Sequence, residues 1–353
     1  MRSLLSKRRS KDRTPEPVAR ANALAAEGRA LEAVVLLTEA NRAQPSAAAE
    51  HALVTLRNQA FAELRPEPAS PAEPGGAPRA ANPEDAGLPA IPAAELSAGA
   101  VREAILEHGS VIVRGLVDPE AAGSLVEGID QAFAGRDAPA GGSPESIDPW
   151  FKPFEPAPEY ERAVGMGRAF VNDGSGIWLA DSPRALFRLT EMFERAGLRE
   201  LITSYLGERP AISVNKGTLR RAAPTVGTNW WHQDGAFLGG EIRSLNVWLS
   251  LTDCGEDAPG MDVVSRRLDS IIETGTEGAD FEWSVSPELV AAVAGDDVSR
   301  PVFRPGDALL FDHLCLHKTA SHEEMTKTRY ATETWFFAPS AYPDPAKQVP
   351  LVF

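Results

Sequence analysis

His232 and Asp234 stand two positions apart in the string NWWHQD at 229–234, directly after two tryptophans. On an extended strand, residues i and i+2 point to the same face, so one imidazole and one carboxylate aim at a common point. A redox-active iron(II) site uses two histidines and one carboxylate on one face and leaves its other positions open. An isolated His-x-Asp equally describes a strand-end histidine beside a capping aspartate. The rest of the chain decides between the two readings.

A second imidazole is available downstream. A turn at Pro305-Gly306 leads into an apolar strand, Asp307–Phe311, and then to His317, 85 positions after His232 (317 − 232). Arg329 follows 12 positions later (329 − 317), on the strand TRYATETWFFA at 328–338. His313, four residues before His317, is the competing ligand, whereas His51, His108 and His322 carry no chemistry on this reading.

The elements that must position these groups are short. Strands are expected at 110–114, 211–221, 245–252, 261–264, 301–303, 307–311, 314–318 and 328–338, separated by glycine and proline turns. Short strands without alternating helices argue for an antiparallel sandwich or jelly roll. Helices are expected at 94–107, 119–133 and 182–206, and a short one at 287–293 inside an insertion at 275–297. The loop 135–158 carries Trp150, Phe151 and Phe154, either as a lid over a pocket or pinned to the surface.

Four segments follow: a basic tail at 1–15, a helical segment at 16–64, a proline-rich linker at 65–92 and the strand-rich domain at 93–353. In the helical segment, Pro17 suits a first turn, Gly28 and Gln44-Pro45 are breaks, and Ser46 reads as an N-cap. The string ALAAEGRALEAVVLLTEANRAQP resembles a tetratricopeptide repeat but spans barely one and a half units, so a helical hairpin packed on the main domain or on a partner is expected.

Composition narrows the function. The chain has 353 residues, 43% of them hydrophobic, a net charge of −15 and a pI near 5.0. That disfavours a nucleic-acid binder, which needs clustered lysine and arginine. Two cysteines, Cys254 and Cys315, make no disulfide framework, and no apolar run approaches the ~18 residues of a membrane span, so a cytoplasmic setting is expected.

The strings WHQDG at 231–235, WLSLTD at 248–253, PGDALLFDHLCLHKTA at 305–320 and RYATETWFF at 329–337 together resemble the phytanoyl-CoA dioxygenase-like branch of the Fe(II)/2-oxoglutarate-dependent oxygenases, over residues 95–345. The resemblance implies a double-stranded β-helix core with flanking helices. It implies that His232, Asp234 and His317 hold Fe(II), and that Arg329 binds the distal carboxylate of 2-oxoglutarate. An arginine fork suits a buried carboxylate better than a lysine point charge. The place two residues after Arg329, where relatives often carry a hydroxyl, is Ala331.

Further pocket candidates are Lys216 and Arg220, of like parity on the strand before WHQD, Trp231 as a wall, and Asn246 with Trp248 on the following strand. The implied reaction uses O2 and hydroxylates an unactivated C–H bond of a small-molecule or carrier-bound substrate, releasing succinate and CO2. Asp234 stands where related halogenases carry a small residue, which favours hydroxylation, desaturation or ring closure. No motif for coenzyme A is present. Alternatives are a protein or peptide substrate presented by residues 16–64, self-association through them, or an interaction protein that keeps the barrel without the catalysis.

Overall fold

The computed structural model describes residues 15–65, 70–76, 82–138, 149–225, 230–345 and 347–353. The basic tail at 1–14, parts of the proline-rich stretch and residues 139–148 of the aromatic-bearing loop lie outside the described residues.

The helical segment is three helices, divided where the breaks at Gly28 and Gln44-Pro45 and the N-cap Ser46 predict: α1 (Glu16–Ala26), α2 (Ala30–Ala43) and α3 (Ala47–Ala60). Gly28 turns the chain at φ +77°. The Ser46 hydroxyl accepts the Ala49 amide at 3.2 Å, closing the first turn of α3. Apolar residues at helical spacing, among them Ala33, Leu37, Leu53 and Leu56, bury one another and extend their cluster to Val352 at the far end of the chain.

The end of the expected linker at 65–92 is not linker but a strand of the main sheet, β1 (Ala90–Pro92); after it come α4 (Ala98–His108), β2 (Ser110–Arg114), α5 (Pro119–Asp137), α6 (Glu161–Asp173), β3 (Gly176–Trp178), α7 (Pro183–Arg195), α8 (Leu198–Leu206) and β4 (Ala211–Ala222). Then follow α9 (Gly235–Leu238), β5 (Ser244–Ser250), β6 (Gly260–Val264), α10 (Pro287–Ala294), β7 (Val298–Ser299), β8 (Ala308–Phe311), β9 (His317–Ala320), β10 (Arg329–Phe337) and β11 (Pro350–Val352). Two departures from expectation have local causes. The helix expected over 182–206 is two, because Gly197 sits at φ +71° between them. The helix expected from residue 94 starts only after Ser97, whose side chain accepts the Ala100 amide at 3.2 Å.

The main sheet runs β1-β2-β8-β5-β10-β4-β11, with β3 also on β4, and a second sheet runs β7-β6-β9. All pairings are antiparallel except β1 with β2. Strand alternation gives the main sheet two different faces. Val247, Leu249, Leu310 and Phe336 face the helices, packing with residues of α4, α5, α7 and α8. Trp248, Leu309, Phe311, Ala331, Trp335 and Phe337 face the second sheet, where Met261 and Val263 meet them. Each such fully buried large side chain contributes roughly 1.5–3 kcal/mol.

The PGD turn before β8 is fixed from both sides. Gly306 has φ +94°, and a Cβ there would strike the Val117 carbonyl. Asp307 accepts the amides of Gly115 at 2.8 Å and Arg304 at 3.0 Å, and pairs with Arg114, which also binds Asp85. The turn therefore delivers β8, and the histidine after it, at a set height between the sheets.

Candidate metal centre and its mouth

His232 and His317 are brought together by backbone pairing. They form an isolated antiparallel bridge, each amide donating to the other's carbonyl at 3.0 Å. Directly opposed residues on antiparallel strands place their side chains on the same face. The two imidazole centroids accordingly lie 4.4 Å apart. Asp234, two residues on, opens the short helix α9, and the Gly235 amide is anchored on the His313 carbonyl at 2.9 Å. Gln233 is fully buried between these residues and ties three strands of chain together. Its amide donates to the carbonyls of Ser270 at 3.1 Å and Leu314 at 2.7 Å and accepts the Ile272 amide at 2.8 Å.

The ring orientations are set as well. His232 Nδ1 lies 2.9 Å from the Trp230 carbonyl and His317 Nδ1 lies 3.0 Å from the Cys315 carbonyl. A carbonyl only accepts, so both Nδ1 atoms carry a proton, which leaves Nε2 as the ligand atom of each ring. These Nε2 atoms lie 4.0 Å and 3.6 Å from Asp234 Oδ2. Oδ2 is buried and has no hydrogen-bond partner, whereas Oδ1 accepts from Lys216 Nζ at 2.7 Å. The three ligand atoms lie within 4.8 Å of one another, and no other such group occurs among the described residues. Two imidazoles with Nδ1 engaged and an orphaned carboxylate oxygen turned toward each other fit a divalent transition metal.

The electrostatics agree with that use. Burial, with the neighbouring His317 adding to it, pushes His232 down to about 4, so the imidazole is neutral at neutral pH. Burial works against ionisation of Asp234, but the Lys216 ammonium leads the attractions that hold the carboxyl below its usual range. His313 cannot compete, because Nδ1 is taken by Ser244 Oγ at 3.1 Å and Nε2 by the Gly240 carbonyl at 3.3 Å.

Arg329 lies on the same face of β10 as Ala331 and Trp335 and is 3% exposed. Its guanidinium meets only carbonyls, Gly260 at 3.2 Å and Pro259 at 3.5 Å, and stands 5.5 Å over the Trp248 ring. No carboxylate among the described residues pairs with it, and its Nε is unpartnered. A buried cation in this state can take an anion. Asn246 and Trp248 share this face through β5, and Asn246 Oδ1 is buried without a partner. Thr332 and Thr334 alternate to the opposite face, where their buried hydroxyls also lack partners.

Of the expected pocket residues, one has another position and two are engaged at the site's own face. Lys216 reaches the site and donates to Asp234. Arg220 pairs with Glu333 at 3.3 Å and donates to the Gly174 carbonyl at 3.1 Å. Trp231 is no wall of the site, because alternation sends it the opposite way from His232. It packs with Val264, Leu268, Val285, Val290 and Leu316, away from the ligand atoms. The wall is built instead from Trp283, which the sequence reading left in an insertion. Its ring lies 5.6 Å from His232, 6.1 Å from Trp230, 6.0 Å from Phe237, 5.1 Å from Phe281 and 6.3 Å from Phe170 on α6. Phe170, Phe237 and Phe281 are three of the seven exposed large apolar side chains among the described residues, and all three converge on this ring. The only advance signal was FEW at 281–283, an aromatic pair in a polar run.

The family model for phytanoyl-CoA dioxygenase (PhyH) matches residues 105–324. No curated protein matches the chain in sequence. Among solved structures, EctD from S. alaskensis with 2-oxoglutarate and 5-hydroxyectoine is 15% identical, covering 80% of this chain and 84% of that one at a TM-score of 0.50. AviO1 from Streptomyces viridochromogenes Tue57 is 17% identical, covering 71% and 99% at a TM-score of 0.47. EvdO2 from Micromonospora carbonacea var. aurantiaca complexed with 2-oxoglutarate is 14% identical, covering 70% and 94% at a TM-score of 0.46. The likeness to EctD shows a common fold. The chain belongs to the phytanoyl-CoA dioxygenase family and is an oxygenase using iron and 2-oxoglutarate. No helix among the described residues is long and apolar enough to cross a membrane.

Proposed function

We propose that this oxygenase hydroxylates an unactivated C–H bond of a small molecule, with His232, Asp234 and His317 holding Fe(II) and Arg329 holding the distal carboxylate of 2-oxoglutarate. The observation that carries this reading is Asp234 Oδ2, buried, unpartnered and facing both Nε2 atoms. We read the two sheets as the halves of a double-stranded β-helix, with the residues they share as its interior, and residues 16–64 as a short tetratricopeptide-like segment.

Iron bound here, with 2-oxoglutarate and O2, supplies the oxidising power, and the oxoacid leaves as succinate and CO2. The chain does the rest. His232 and His317 present oriented imidazoles, each turned by the carbonyl on its Nδ1. The buried Arg329 fixes one end of the oxoacid by charge and by two-pronged donation. The aromatic side chains around Trp283 offer an apolar surface beside His232. Such a surface suits a substrate whose body is apolar, with the reactive carbon inward toward the ligand atoms. Aromatic enclosure weighs against a free peptide strand as the substrate, since a peptide needs main-chain partners along its length.

The test is an anaerobic titration of the full-length protein with Fe(II) and 2-oxoglutarate, followed by visible absorption. A weak charge-transfer band that appears in the native protein and is lost in His232→Ala supports the reading. Metal binding without the band removes the oxoacid from it, and no metal binding removes the site.

A further inference from the structure

We infer that Lys216 is a positioning residue of the metal site: its hydrogen bond to Oδ1 of Asp234 leaves that carboxylate one oxygen, Oδ2, for the ion. The inference rests on the metal-site reading above and adds to it a residue from a different strand, with a stated task.

The two oxygens of Asp234 are in different states. Oδ1 receives the Lys216 ammonium at 2.7 Å, and Oδ2 receives nothing and faces the two imidazoles. The asymmetry is built in. Lys216 is on β4 beside the bulge in its pairing with β10, and its Nζ is 4.0 Å from the centre of the Phe237 ring. Phe237 belongs to α9, the turn of helix that Asp234 opens. The ammonium is thus held between the carboxylate and an aromatic face, 18% exposed, by ionic and cation–π attraction together.

A carboxylate with both oxygens free can chelate a metal through both and occupy an extra coordination position. A three-ligand site that must accept two oxygens of an oxoacid and then dioxygen has no position to spare. Capping Oδ1 removes the second mode. A lysine serves here because its flexible stem carries a compact charge into a narrow gap, where a planar guanidinium would reach past to Oδ2 as well.

A different task for Lys216, contact with the oxoacid, gives a different result when no oxoacid is present, and the experiment uses that. The full-length protein is loaded with Mn(II) alone, and water-proton relaxation reports how many exchangeable waters the bound ion keeps. Lys216→Met frees Oδ1, so one of three open positions is lost and the enhancement falls by about a third. Lys216→Gln keeps a donor toward Oδ1 without the charge and stays at or near the native value. An unchanged enhancement in Lys216→Met at full Mn(II) occupancy overturns the proposal, and if 2-oxoglutarate affinity then falls, the lysine serves the oxoacid. A Lys216→Gln variant that falls as far as Met also overturns it, because the hydrogen bond is then not the cause. Lys216→Ala makes the same comparison if the methionine variant does not fold. If native protein binds no Mn(II), or Asp234→Ala binds it equally well, the metal-site reading itself has failed, which is a separate outcome.

Discussion

Replacing Arg329 by methionine should make the ligand-free protein more stable, not less. The guanidinium is 3% exposed and pairs with no carboxylate. Burial, partly opposed by the nearby Cys254, lowers it from 12.5 to about 10. At neutral pH it therefore stays charged, and the folded state bears the difference, roughly 3 kcal/mol at ~1.4 kcal/mol per pKa unit. Methionine fills a similar length without the charge, and the two carbonyls it abandons retain second lone pairs for other donors. Exchanging an uncompensated buried ion for an apolar side chain gains about 1–3 kcal/mol. The same substitution should abolish stabilisation by 2-oxoglutarate, which for native protein with Mn(II) amounts to about 2.7 kcal/mol at a hundredfold excess over Kd. Urea denaturation with and without Mn(II) and 2-oxoglutarate measures both quantities. A ligand-free Arg329→Met that loses about 3 kcal/mol would mean the arginine is a paired structural cation. A variant that keeps the full ligand response would place the carboxylate elsewhere. Either result refutes the argument.

Gly306→Ala should destabilise by about 2–4 kcal/mol, from the left-handed backbone and the Cβ against the Val117 carbonyl; a loss under ~1 kcal/mol by urea denaturation would show that the turn relaxes freely. Trp283→Ala should lower kcat/KM about thirtyfold for a small molecule the native enzyme turns over, roughly 2 kcal/mol of lost aromatic contact, and an unchanged value would move the substrate off this ring. Burial pushes His232 down to about 4 from the ordinary 6.5. Below about 6.5 the unfolded chain binds this proton and the folded one does not, so metal-free stability should fall as pH drops from 6.5 toward 4, by up to ~1.4 kcal/mol per pH unit from this group, and the slope should shrink in His232→Gln.

Residues whose meaning is local were legible in the sequence. The strand SVIVR emerges at Ser110–Arg114 as expected, and the PGD turn leads into β8 because glycine and aspartate each have a backbone reason to be there. His232 and Asp234 stand out in the sequence as a pair two positions apart, and the strings around His317 and Arg329 carry the family resemblance; the structure brings the ligand atoms of the three side chains within 4.8 Å of one another, with Asp234 in helical rather than extended backbone. What was not legible depends on partners far along the chain. α6 was missed because Gly165, Gly167 and Gly174 dilute its helical pattern; Gly167 is demanded by the Trp178 ring, which a Cβ would meet at 2.9 Å. Parity with His232 already turns Trp231 from the site, but its bridge partner Val285, 54 positions on (285 − 231), is not announced by any local pattern. Lys216 could be placed on the right strand face, yet its engagement with Asp234 depends on a bulge in β4–β10 pairing that no local pattern announces.

The helices at 16–60 are sewn to the opposite end of the chain. Arg57 donates to the Val352 carbonyl at 2.7 Å, and Asn58 to the Pro350 carbonyl at 2.8 Å. Glu50 pairs with Arg184 at 2.9 Å, and Glu191 with Arg42 at 2.6 Å. The proline-rich stretch is therefore a seam in the text of the protein but not in its body. Trimming the chain there to ask what the helices contribute would strip the cover from β11, an outermost strand of the main sheet, and leave Arg184 without its carboxylate. A clip at that seam, by contrast, leaves every one of these stitches in place. The helices are best interrogated by substitution in their exposed faces, with the shell around the oxygenase left whole.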